Sequence, residues 1–134
     1  MRIHDLNVLA ILAATLSAFV LGGLWYSRLL FGKAWKKANG FGDGEPPRAG
    51  GMVFGISFIF CLVMAVNLAM FLHDPKTDLI WGATAGFLAG FGWTSMGLGV
   101  VSLFERRSMN YILINGGYLT LALTAMGAIL GGWR

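Results

Sequence analysis

The sequence has few charged residues and almost no cysteine. Charged side chains make up 12% of the 134 residues, and Cys61 is the single cysteine. A lone cysteine within an apolar run provides neither a disulfide framework nor a cysteine-based metal site, so we interpret Cys61 as a packing residue. No acidic or basic side chain lies in the middle of a long apolar segment. This absence argues against ion-coupled carriers and proton relays, which place an ionisable group there.

A catalytic constellation is also missing from the sequence. Nothing resembles a nucleophile with an adjacent base, so we predict that the chain is not an enzyme and needs no cofactor. The formal net charge of +4 raises the question of nucleic acid. The basic residues, however, lie between apolar segments and form no recognition stripe, so we predict no nucleic-acid partner.

Apolar residues dominate the rest of the chain, at 57% of the composition with a mean hydropathy of +0.71. A soluble domain of this size could not bury that much apolar surface. Roughly 20 apolar residues cross a bilayer as a helix, and the chain contains four such runs. We therefore predict one all-α transmembrane domain (1–134), an integral membrane four-helix up-down bundle with spans at about 7–27, 49–72, 79–104 and 109–133.

The basic residues predict the orientation of these spans. Seven of the ten lie in the first and third loops, and three lie on the opposite side. Lys and Arg collect on the cytoplasmic side of a membrane protein, so both termini are predicted to lie outside the cytoplasm. The seven are Arg28, Lys33, Lys36, Lys37, Arg48, Arg106 and Arg107; the three are Arg2, Lys76 and Arg134.

The first loop (28–48) divides into two parts. Residues 29–37 mix apolar and basic side chains and predict a short interfacial helix, favoured by anionic lipid. Residues 39–47 are rich in Gly and Pro and predict a mobile linker. The alternative is a solvated basic loop that only fixes the topology.

Small residues at four-residue spacing predict where the helices pack, because helices in lipid associate by close backbone approach. The third span has the strongest stripe, formed by Gly82, Gly86 and Gly90. All four spans together carry more small surface than one bundle needs, so we predict a homo-oligomer, most simply a dimer, surrounded by membrane lipids. In the alternative interpretation the glycines line a pore or permit a helix break.

Neutral polar residues within the spans are the first candidate site. An unpaired amide is costly in hydrocarbon, so Asn67 and Asn115 are expected to face other helices. With Thr94, Ser95 and Tyr118, they form either interhelical contacts or a neutral polar lining for a small solute.

A second candidate lies at the predicted outer rim, where His4, Asp5, His73 and Asp74 are expected on one face. Two imidazoles and two carboxylates could chelate a divalent transition metal. We prefer the alternative in which Asp5 and Asp78 cap helices and no metal binds.

A third candidate is a cytoplasmic aromatic cluster of Trp25, Tyr26, Ser27 and Trp93, residues expected at similar depth. Trp and Tyr near an interface are ordinary membrane anchors. Trp93, however, is deeper than an anchor requires, so a pocket or gate closed by a Trp–Ser pair is the alternative.

The chain contains one internal similarity. Residues 19–27 parallel residues 87–95, and a His-Asp pair precedes both the first and the third span. Because both copies would run in the same direction, the similarity favours a parallel two-plus-two helix repeat. Apolar helices resemble one another easily, so chance similarity is the alternative.

Several motifs in combination resemble a family of small bacterial membrane proteins known only as a domain of unknown function. They are Gly-Gly-Leu-Trp-Tyr-Ser (22–27), Phe-Gly-Lys-Ala-Trp (31–35), Phe-Glu-Arg-Arg-Ser (104–108), Ile-Asn-Gly-Gly-Tyr (114–118) and Met-Gly-Ala-Ile-Leu-Gly (126–131). Arg28 departs from the proline usual in that family. The resemblance implies four helices, a bacterial inner membrane and no known activity.

Two functions therefore stay open. One is an oligomeric protein that passes or binds a small solute through a neutral polar path. The other is a non-catalytic membrane protein that binds lipid or a partner membrane protein. A water-accessible path past Asn67 and Asn115 would favour the first, and a dry, packed interior the second.

Overall fold

The computed structural model describes residues 5–40 and 50–134, which are mainly helical and contain no strand. Four helices are long and apolar enough to cross a membrane, which confirms the four predicted spans to within a few residues. The helices are α1 (Val8–Trp25), the short α2 (Gly32–Ala38), α3 (Gly51–Phe71), α4 (Leu79–Phe104) and α5 (Met109–Gly132).

Polar side chains begin three of the long helices. The Asn7 side chain accepts a hydrogen bond from the backbone N–H of Ala10, and Asp78 and Ser108 do the same for the first turns of α4 and α5. Each cap satisfies a backbone donor that the helix leaves free. Asp78 is thus the predicted cap, whereas α1 is capped by Asn7 and not by Asp5.

The apolar core lies between α1, α3 and α5. Alanines on the inner face of α1, including Ala10, Ala14 and Ala18, are almost fully buried and let the neighbouring helices approach closely. Leu72 from the end of α3 and Met126 from the middle of α5 are the largest fully buried apolar side chains. The core is therefore concentrated towards the end of the bundle that holds the start of α1.

Helix α5 is the centre of the bundle. It packs against α1 and α3 on one side and against α4 on the other, and α4 packs chiefly on α5. The predicted up-down order of the helices is thus arranged around one central helix.

Helix α4 contains a π-helical segment, Leu88–Ser95, between two α-helical halves. A π turn inserts one additional residue into a helix. The residues that face α5 accordingly step by four from Gly82 to Gly86 and Gly90, and then by five to Ser95. The inserted residue keeps one side of α4 facing α5 along its length.

The two segments of the predicted repeat have different local structures. Residues 19–27 finish α1, which ends at Trp25, whereas residues 87–95 include the π segment of α4. The two segments that match best in sequence therefore differ in backbone conformation. The predicted linker falls largely in residues 41–49, which lie outside the described residues.

The turn between α4 and α5 places Arg106 in the left-handed region, with φ at 62°. The N–H of Arg106 bonds to the carbonyl of Leu103, and the N–H of Arg107 bonds to that of Ser102. This is the Schellman pattern, in which glycine is the usual left-handed residue. A side chain in this conformation costs about 1 kcal/mol relative to glycine.

Candidate functional site

Three side-chain hydrogen bonds join the second half of α1, and Tyr26 directly after it, to α5. Trp25 Nε1 donates to the carbonyl of Ile114 at 2.8 Å, and Tyr26 Oη donates to Asn115 Oδ1 at 2.6 Å. Tyr118 Oη donates to the carbonyl of Ala18 at 2.9 Å. Paired donors of this kind remove the cost of burying polar groups in an apolar medium. Asn115 and Tyr118 thus make interhelical contacts.

Aromatic rings hold the chain that follows α1 against the same site. The rings of Trp25 and Phe31 lie 4.5 Å apart, and those of Tyr26 and Trp35 lie 5.8 Å apart, edge to face. The Tyr26 ring is also 5.6 Å from that of Tyr118. Such pairs favour one relative orientation of the rings. Helix α2 is therefore packed against the bundle.

The predicted aromatic cluster is only partly correct. Trp25 and Tyr26 form it, but Ser27 bonds locally to the carbonyl of Leu24, at 2.7 Å. Trp93 is 74% exposed and lies away from the cluster. The reason is the π segment of α4, which turns Ser95 towards α5 and leaves Trp93 on the outer face. No Trp–Ser gate forms from these residues.

Ser95 is one of two buried polar residues of α4, the other being Ser102. Its Oγ donates to the carbonyl of Gly116 at 2.7 Å and lies 2.8 Å from Thr120 Oγ1, which also contacts that carbonyl. Thr94 instead bonds within α4, to the carbonyl of Ala89 at 3.1 Å. The hydroxyls of Ser95 and Thr120 are thus both hydrogen-bonded between α4 and α5, and this contact stabilises the packing of the two helices.

The structure does not place Asn67 against another helix of the described chain. Asn67 is exposed on α3, and its Nδ2 donates to the carbonyl of Val63 in the same helix at 2.9 Å. That local hydrogen bond satisfies one donor of the Asn67 amide without a contact to another helix. Asn67 and Asn115 therefore do not line a common path.

The glycine stripe of α4 faces α5 directly. A Cβ added at Gly82 or Gly86 would meet the backbone of Gly127 or of Leu123, and one added at Gly90 would lie 2.8 Å from the Cα of Thr120. Only glycine permits backbones to approach this closely. The stripe is thus used inside the chain and is not available to another subunit.

The structure brings together fewer of the candidates at the predicted outer rim than the sequence suggests. Asp5 and His73 line one small pocket, and the same pocket is lined by Arg134. Asp74 Oδ1 accepts a hydrogen bond from the backbone N–H of Lys76. His4 lies outside the described residues, and within those residues no three His, Cys, Asp or Glu side chains converge. The cation of Arg134 makes the pocket unfavourable for a metal ion.

Arg134 instead connects the end of α5 to the end of α3. Its guanidinium donates to the carbonyls of Leu72 and Asp74, both at 3.0 Å. The carbonyls at a helix C-terminus lack helical partners and carry negative partial charge, so a cation there is favourable. The end of α5 is thereby fixed to the end of α3.

A family model described as a protein of unknown function, DUF1761, matches residues 9–131. The chain belongs to this family. The match confirms the resemblance inferred from the motifs. Neither the curated proteins nor the solved structures contain a match to the chain.

The DUF1761 match spans nearly all of the described bundle, including the residues of α1 and α5 joined through Trp25, Tyr26, Asn115 and Tyr118 (the Trp25–Asn115 site). Two contributors to this site escaped the sequence analysis. The sequence predicts only an interfacial helix for Phe31 and Trp35, whereas the structure places their rings against Trp25 and Tyr26. The aromatic residues spaced four apart at 31 and 35 share one helix face, and that was the available signal.

Proposed function

We propose that this protein is a non-catalytic, multi-pass protein of the bacterial inner membrane that binds lipid on its outer helix faces. The observation that carries the proposal is the α4–α5 contact. There, backbone packs on backbone at Gly82 and Gly86, and the polar side chains nearby bond to each other. That packing favours lipid binding over a polar path for solutes.

The positions of Asn67 and Asn115 also favour lipid binding over a path for solutes. Asn115 uses its oxygen for Tyr26 and its nitrogen for the carbonyl of Tyr111. Asn67 lies on the exposed face of α3. A path for solutes would need polar side chains along one lumen that can hydrogen-bond to the solute. The amides of Asn67 and Asn115 lie apart, and each already makes hydrogen bonds within the chain.

The proposed orientation has both termini outside the cytoplasm. Lys37 from the first loop and Arg106 from the third line one groove, so the two basic loops lie at the same end of the bundle. Because Lys and Arg collect on the cytoplasmic side of a membrane protein, the clustering of basic residues at one end of the bundle supports this orientation.

A vesicle assay tests the proposed function. We expect vesicles containing the protein to shrink in hyperosmotic glycerol or urea and to recover at the rate of empty vesicles, as followed by stopped-flow light scattering. Purified protein is expected to retain phospholipid in native mass spectrometry. Solute entry that exceeds the empty-vesicle rate, and that Asn115→Leu abolishes, would overturn the proposal and restore the solute path.

We also propose a homodimer formed through the start of α3. Gly51 and Gly55 are four residues apart, and a Cβ added to either would meet nothing within 4 Å. Open small residues at this spacing are a helix-association motif in lipid. We expect the mass in detergent, measured by light scattering, to be that of a dimer and to fall to a monomer in Gly55→Leu. Gly97→Leu, an equally open site without a small residue four positions away, should remain dimeric. A monomeric wild-type protein would refute the dimer.

A further inference from the structure

A polar groove lies between the end of α2 and the turn that joins α4 to α5. Its volume is about 680 Å³, and its lining includes Lys37, Asn39, Glu105, Arg106, Arg107 and Ser108. It is separate from the Trp25–Asn115 site, and neither the hydrogen bonds nor the ring contacts of that site account for its charged residues.

Positive charge is in excess in this groove. The carboxylate of Glu105 is 3.8 Å from the guanidinium of Arg107, whose cation also lies over the Tyr111 ring at 5.0 Å from its centroid. Lys37 and Arg106 have no carboxylate within ion-pair distance among residues 5–40 and 50–134. Among the described lining residues, two cations thus share the groove with one acidic side chain, Glu105, which already has a partner.

The backbone at Arg106 shows that its side chain is not required by the turn. Gly40, on the opposite wall of the groove, has a φ of 72°, and Arg106 has a φ of 62°. Glycine adopts this conformation without strain, and arginine does not. The turn would form more readily with glycine at position 106, so the strain points to a separate use for the guanidinium.

We propose that the groove binds a phosphate group, held by Arg106 and Lys37. The planar guanidinium bonds a phosphate through two parallel N–H groups, and the lysine adds a point charge. The hydroxyl of Ser108, which accepts the Tyr111 N–H through its oxygen, retains its own proton to donate. The phosphate belongs to an anionic lipid headgroup or to a soluble compound; the headgroup source rests on the proposed membrane orientation.

The test compares two phosphate probes on purified protein in neutral detergent. One probe is phosphatidylglycerol in mixed micelles, with phosphatidylcholine as the zwitterionic reference, and the other is inorganic phosphate. Binding is measured by native mass spectrometry for the lipids and by the shift in Tm for both. Phosphatidylglycerol stabilisation without a phosphate effect assigns the headgroup, and stabilisation by inorganic phosphate assigns a soluble source.

Arg106→Gly is the decisive variant, with Lys33→Ala as its matched control. Lys33 lies on α2 outside the groove lining and is exposed. We expect Arg106→Gly to weaken probe binding by about tenfold, the loss of one charge-assisted contact. Its Tm without a probe should equal or exceed that of the wild type. Lys37→Ala should also weaken binding, and Lys33→Ala should leave it within about twofold.

Equal loss in Arg106→Gly and Lys33→Ala would overturn the proposal, because it would show a diffuse basic surface. Lack of a response to either probe by the wild-type protein would overturn it as well. Neither result affects the vesicle assay, which concerns the interior of the bundle. Conversely, solute flux would refute the proposed function while leaving phosphate binding at Arg106 intact.

Discussion

Gly86→Ala is expected to lower the free energy of unfolding by about 3 kcal/mol, at the upper end of the usual cost of overpacking. The added methyl group would collide with the backbone of Leu123, and backbone in a helix cannot move aside as a flexible side chain does. We expect a fall of roughly 10 °C in Tm, followed by circular dichroism in detergent. Gly127→Ala, which meets Gly82 from the other side, should behave alike.

The matched control for this prediction is Gly97→Ala, in the same span. A Cβ at Gly97 would meet nothing within 4 Å. Alanine is favoured over glycine by about 1 kcal/mol inside a helix, so this variant should be unchanged or slightly stabilised. If Gly86→Ala and Gly97→Ala melt at the same temperature, the glycine stripe does not hold α4 against α5.

Deletion of Gly92 is expected to leave the bundle folded, although deletion within a membrane helix normally rotates everything beyond it. Gly92 lies in the π segment, where Gly90 and Ser95 are five positions apart. Removing one restores the four-residue α-helical step, so both residues keep facing α5. Thr94 would then be four residues from Ala89, the spacing at which Thr120 already bonds to the carbonyl of Gly116.

Deletion of Ala83 is the contrasting experiment, because this residue lies in the regular α-helical part of α4. Removing it rotates Gly82 by about 100° relative to Gly86 and breaks the stripe. We expect the Gly92 deletion to elute as a single species and to melt within about 5 °C of the wild type, and the Ala83 deletion to aggregate or melt at least 10 °C lower. Equal damage from the two deletions would contradict the role assigned to the π segment.

Sequence reasoning located the four spans because bilayer thickness imposes a length and polarity that composition reveals directly. It also identified Gly82, Gly86 and Gly90 as a packing stripe. It could not determine which helix the stripe contacts, since small residues on every span satisfy the same spacing rule. The assignment of the stripe to α5, which leaves it unavailable to a second subunit, required three-dimensional information.

The misplacement of Trp93 has a specific physical cause. The prediction groups Trp93 with the other aromatic residues by depth, and depth does not determine which face of a helix a residue occupies. The inserted residue of the π segment turns Ser95 towards α5, and Trp93 stays exposed. The placement of Asn67 has a different explanation. A polar side chain in a helix can return to the carbonyl four residues earlier, as Asn67 does to Val63, so polarity alone does not demand a neighbour.

The central position of α5 determines when the protein can assemble as it is made. Spans enter the membrane in chain order, and α5 is the last of the four described here. Until it arrives, α4 lacks its principal contact surface, and Trp25 and Tyr26 lack their acceptors on Ile114 and Asn115. The nascent spans must therefore remain loosely associated in the bilayer and become fixed together in a late step, when the fourth span inserts among them.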